Sequence, residues 1–142
     1  MEPTGLERNR VPLALFGAVL VLASIATAGV ALWLLMVTTF VLPERDPGHV
    51  ALWRWVALGF SAFCALSWAC IATGARRAAL KWSVLALSLA AIGLGGYGIV
   101  QMIQQANRGA HFEGYIVLMG LVLAGHGLAG TLYTVRAGTE RV

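Results

Sequence analysis

One imidazole in this chain lies inside a long apolar run. His126 sits in LVLAGHGLAG, residues 121–130, between Gly125 and Gly127. An ionisable group held in hydrocarbon is costly and by default raises a functional hypothesis. Three chemistries are candidates. The first is a neutral imidazole bonded to a backbone carbonyl or a hydroxyl on a neighbouring helix, with Ser24, Thr27, Ser61, Ser67 and Ser88 as candidate partners. The glycines on either side would let that neighbour come close. The second is a cofactor site, with His126 as an axial ligand to haem or a contact for quinone. Haem between helices commonly takes two strong ligands, and the second would have to come from a methionine or another chain. The third is a proton-relay or substrate-contacting group, since imidazole titrates near neutral pH. Met119 and Tyr133 flank His126 at seven residues on either side, on the same helical face.

A second group of polar residues falls in the connections. His49 follows Glu44 and Asp46, while His111 and Glu113 precede the last apolar run. Imidazole and carboxylate together suit Zn or Cu, so His49, His111 and Glu113 are candidate metal ligands. The competing reading is a solvated cap, with Glu113 favoured by the positive end of its helix. Glu113 also begins a stripe that continues through Val117, Gly120, Ala124, Gly127 and Thr131. Arg54, just inside another apolar run, can extend its head outward, and an Arg54–Glu113 ion pair is expected. Arg108, Gln101, Gln104 and Gln105 are further partners for that carboxylate.

Other chemistry is absent from the sequence. There is no glycine-rich phosphate loop followed by lysine, no HExxH, and no Ser–His–Asp set with supporting motifs. No basic run with stacking aromatics suggests nucleic acid. A catalytic role on a polar substrate usually needs more than this, so the expectation is a protein without catalytic activity.

The elements that must position these residues follow from composition. Only 11% of the 142 residues are charged and 59% are hydrophobic, against about a quarter charged in a soluble domain. So little charge cannot coat a globule, and lipid must be the main solvent. Four apolar stretches run over 11–42, 50–73, 79–102 and 114–135. Each exceeds the roughly 20 helical residues that cross a bilayer. Helix is the expected form, because backbone in lipid must satisfy its own hydrogen bonds and no strict alternation suggests a barrel. The first stretch, with Arg8 and Arg10 before it and ATAG within it, resembles a signal peptide. Its long apolar continuation makes it an uncleaved span. The whole chain, 1–142, is thus one integral membrane four-helix bundle.

Charge sets its direction. Arg8, Arg10, Arg76, Arg77, Lys81, Arg136 and Arg141 fall on one side; Arg45, Arg54 and Arg108 fall on the other. Positive residues favour the cytoplasm, so both termini are expected there, in the inner membrane of a bacterium. Trp53, Trp55 and Tyr115 are expected at the outer interface, and Trp82 and Tyr133 at the inner one. Cys64 and Cys70, six residues apart, point to different faces and are expected as small packing residues.

Between helices in lipid, small residues permit close approach. Gly120, Ala124, Gly127 and Thr131 form such a stripe. Ala86, Ala90, Gly93 and Tyr97 repeat the spacing within a region that includes GLGGYG, residues 93–98, so Gly93 and Gly96 are expected to meet the fourth helix. Gly17, Val21, Ser24 and Ala28 share a face of the first. These faces suit bundle packing, or contact with other membrane subunits or a second copy. The expected role is a non-catalytic subunit or scaffold of a larger membrane complex. The alternatives are a small oligomeric transporter or channel component using His126 and Glu113, and a redox subunit holding haem or quinone through His126.

Overall fold

The computed structural model describes residues 5–40, 47–109 and 114–139; the side chains of 5–12, 47 and 49 lie outside the described set. Within it the chain is helical throughout: α1 (Gly5–Phe40), α2 (Pro47–Ala72), α3 (Ala78–Asn107) and α4 (Gly114–Thr139). Each contains a stretch long and apolar enough to cross a membrane: Leu13–Phe40, Val50–Ala72, Ala78–Asn107 and Gly114–Thr139. Only 22–28% of the most apolar window in each is buried inside the bundle. Leu22, Leu32, Phe40, Leu94 and Leu118 are all more than half exposed. Apolar surface this extensive suits a bilayer rather than water.

The helices overrun the apolar stretches where the flanking residues favour helix. α2 starts at Pro47, three residues before the second apolar stretch, because proline's fixed φ suits a first helical position. α3 continues through Gln104, Gln105 and Ala106, good helix formers, and stops just before Gly109 at φ 74°. Between α2 and α3 the chain turns through Gly74 and Ala75, at φ 57° and 55°. The Gly74 and Ala75 N–H groups donate to the carbonyls of Ile71 and Cys70 at 2.9 and 2.8 Å. These bonds satisfy carbonyls that the helix end would leave open. A left-handed alanine costs roughly 1–2 kcal/mol, and Ala75 occupies that conformation while almost wholly buried.

Neighbouring helices are antiparallel. Arg54 of α2 reaches Thr38 of α1 at one end, and Trp68 reaches Ser24 farther along. Tyr133 of α4 lies against Gly17 of α1, while Tyr115 meets Trp33. The start of α1 and the end of α4 therefore share one end of the bundle. α3 packs chiefly on α4, α1 on α2 and α4, and α2 only loosely on α3.

The α3–α4 seam corrects one expectation. A Cβ on Gly95 would lie 2.5 Å from the Gly120 carbonyl oxygen, and one on Gly120 would lie 2.8 Å from that of Gly95. A Cβ on Gly127 would overlap the Ser88 carbonyl oxygen, and one on Gly130 the Ser88 hydroxyl. Ala124 joins this seam opposite Gly95, and half-buried Thr131 donates to the Gly127 carbonyl at 2.9 Å. Gly93 and Gly96 do not take part: a Cβ on either would meet nothing within 4 Å. The reason is a degenerate period. Val84, Ser88, Ala91 and Gly95 repeat the 4, 3, 4 spacing of Ala86, Ala90, Gly93 and Tyr97, on another face. The first set is buried; the second is exposed.

Tyr133 is a further correction. Expected as an exposed anchor, it is buried, 3.6 Å from the Cβ position of Gly17 and part of a core cluster with Leu20, Cys70 and Val84. Its place seven residues after His126 puts it on the inward face of α4. Trp82 and Trp55, at 63% and 72% exposure, face away from the bundle.

Candidate functional site

His126 is fully buried where α1, α2 and α4 converge. Its Nδ1 lies 2.9 Å from Thr27 Oγ1 of α1, and its Nε2 lies 3.1 Å from Ser67 Oγ of α2. Phe63 of α2 stacks on the ring, centroids 4.1 Å apart and planes 16° from parallel. Two helices, α1 and α2, thus hold the imidazole that α4 carries by both nitrogens and a face.

The neighbouring bonds assign the proton. Thr27 donates its only hydroxyl hydrogen to the Ala23 carbonyl at 3.0 Å. Its oxygen can then only accept from the ring, so Nδ1 carries the hydrogen. Nε2 is left with a lone pair, and the Ser67 hydroxyl donates to it. A neutral imidazole satisfies every polar atom of this trio without a net charge. That is the state hydrocarbon surroundings favour.

Of the five expected hydroxyl partners, Thr27 and Ser67 are brought to the ring and the other three are not. Ser24 donates to the Leu20 carbonyl at 2.7 Å, and Ser61 donates to that of Ala57 at 2.9 Å. Ser88 Oγ is buried without a hydrogen-bond partner. The flanking glycines also act differently from expectation. Gly127 admits α3, not a partner of the ring, while Gly125 is exposed and a Cβ there would meet nothing within 4 Å.

A second polar contact joins α1 and α2 nearby, and it was not anticipated from the sequence. Trp68 Nε1 donates to Ser24 Oγ at 2.8 Å, and Cys64 Sγ donates to the Ser24 carbonyl at 3.3 Å. Ser24 and Thr27, three residues apart on α1, thus face Cys64, Ser67 and Trp68 on α2. The indole reaches inward from a tryptophan that is half exposed. Cys64 and Cys70 are both free and buried.

The polar residues of the connections fare differently. His111, Glu113, Glu44 and Asp46 lie outside the described residues, as does the side chain of His49. Among the described residues no group of three His, Cys, Asp or Glu could hold a metal ion. The expected Arg54–Glu113 pair therefore also falls outside the description. Arg54 itself donates from a terminal guanidinium nitrogen to the Thr38 carbonyl at 3.4 Å. That carbonyl belongs to the last turn of α1, the end of a helix that attracts cations. Comparison with protein-family models, curated proteins and solved structures gives no match to this chain.

Proposed function

We propose that this chain is a non-catalytic integral subunit or scaffold of a membrane complex. The observation that carries the reading is the engagement of His126 within its own bundle. An axial ligand must offer a ring nitrogen to iron, and a relay must pass its proton to a mobile acceptor. Here Nδ1 and Nε2 are bonded to Thr27 and Ser67, and Phe63 covers the ring. The imidazole acts as a tie between helices.

The contact with other subunits is assigned to the outer face of α3. Ala86, Ala90, Gly93 and Tyr97 form a small-residue stripe that the bundle leaves exposed, the type of surface on which helices approach closely in lipid. The excess of Arg and Lys beside the two termini and the α2–α3 turn supports an orientation with both termini in the cytoplasm. The arginine-rich, alanine- and glycine-rich composition supports a bacterial inner membrane.

Site-directed crosslinking tests the reading. Cysteine at Ala86 or Gly93 should crosslink in cells to one integral membrane partner, or to a second copy, identified by mass spectrometry. Cysteine at Leu22 or Leu32, on the outer surface of α1, should not. A Soret band in the purified protein that disappears in His126→Ala would overturn the reading in favour of a redox subunit. Proton-coupled flux in liposomes, abolished in Glu113→Gln, would overturn it in favour of a transporter.

A further inference from the structure

Two cavities meet at Ile71, and their chemistry differs. The first, about 460 Å³, is an open groove along α1 lined by Ala14, Gly17, Ala18 and Val21, with Tyr133 of α4 and Ile71 of α2 at its sides. The second, about 520 Å³, wraps the end of α2 and is lined by Ile71, Thr73, Arg76 and Arg77 among others. Ile71 thus lines both the apolar groove and the cavity that holds the two cations.

The dimensions fit one leaflet. Leu13 to Val21, the α1 residues bordering the groove, are eight residues apart, and helical rise makes that about 12 Å. Half of a ~30 Å hydrocarbon core is about 15 Å. Arg76 and Arg77 are exposed, and among the described residues neither guanidinium has a hydrogen-bond or ion-pair partner. A guanidinium pairs with phosphate oxygens through two parallel hydrogen bonds.

We propose that this composite cavity binds one anionic phospholipid, its phosphate held by Arg76 and Arg77 and one acyl chain lying in the α1 groove beside Gly17 and Ala18. A membrane helix seated on the same surface would set apolar side chains against the two cations, whereas a lipid phosphate neutralises them. Free phosphate would leave the groove unused. The shared wall at Ile71 is what joins headgroup and chain into one site.

Native mass spectrometry of the full chain in neutral detergent tests this, with phosphatidylglycerol and phosphatidylcholine of matched acyl chains as probes. The wild type should retain one phosphatidylglycerol with a preference on the order of thirtyfold over phosphatidylcholine, the scale two surface arginines give. Arg76→Gln with Arg77→Gln should lose that preference. Ala18→Trp, which fills the groove and leaves both arginines in place, should lose it as well; Ala14→Phe serves the same end if the first variant does not elute as a folded species. Arg108→Gln, on the turn at the other end of α3, should bind as the wild type does. Wild-type retention in the groove-filling variants would overturn the proposal. So would an equal loss in Arg108→Gln, or displacement of the lipid by inorganic phosphate.

Discussion

Along the α3–α4 seam the backbones touch; along the α1–α2 seam the side chains do. The first brings carbonyl oxygens of Ser88, Gly95 and Gly120 over glycines of the facing helix. Such approaches provide weak Cα–H···O contacts, about 0.5–1 kcal/mol each, and a large dispersion contact. In that seam Ser88 Oγ has no conventional hydrogen-bond partner. The second seam uses Trp68 on Ser24, Cys64 on the Ser24 carbonyl, and His126 linking Thr27 to Ser67. Helices in lipid gain no hydrophobic free energy from meeting, so they need shape or polarity to associate. This bundle uses shape on one side and polarity on the other, with α4 taking part in both through the adjacent residues His126 and Gly127.

The comparison breaks most sharply at those adjacent residues. Gly127→Leu should destabilise the bundle by about 3 kcal/mol, because overpacked seams must separate. Gly125→Leu, two residues away on the open face, should stay within about 0.5 kcal/mol of the wild type. Reversible unfolding in mixed micelles measures both. If the two behave alike, the backbone seam is not what joins α3 to α4. His126→Ala should cost about 2–3 kcal/mol, through a cavity and two lost bonds. His126→Leu refills the volume and should cost about 1 kcal/mol less than the alanine variant; the same unfolding series reads the difference.

Smaller effects sharpen the polar seam. Trp68→Phe removes the donor to Ser24 and keeps most of the ring, so about 1 kcal/mol should be lost. Thr27→Val should cost about 0.6 kcal/mol, near the mean for such bonds in a membrane protein. Combined with His126→Leu it should add almost nothing, since both remove the same bond; full additivity in that cycle would show that Nδ1 is not engaged by Thr27. Gly93→Ala is the gentlest change. It should raise helix stability by up to about 1 kcal/mol in the isolated chain while weakening any partner seated on the outer face of α3, seen as a loss of crosslinking yield at Ala86.

The four helices were legible because their cause is local. Each apolar stretch is long enough to cross a bilayer, and Pro47 and Gly109 sit beside a helix start and a helix end. The α4 stripe was legible too, since Gly120, Ala124 and Gly127 repeat on one face and do meet α3. The matching face of α3 was not, because glycines 93, 95, 96 and 98 point around the helix and two small-residue stripes share one spacing. Nor was Tyr133, whose ring suits an interface or a core equally well until Gly17 offers it space.

The sequence by itself determined that the chain forms four apolar helices, that His126 lies far from the ends of the fourth, and that small residues open one side of that helix. Tertiary structure alone decided which side of α3 is inside, and that Thr27 and Ser67, among five hydroxyl candidates, hold the imidazole. The physical reason is that helical periodicity fixes angles within one helix, whereas the rotation and depth of one helix against another arise only when all four are packed together.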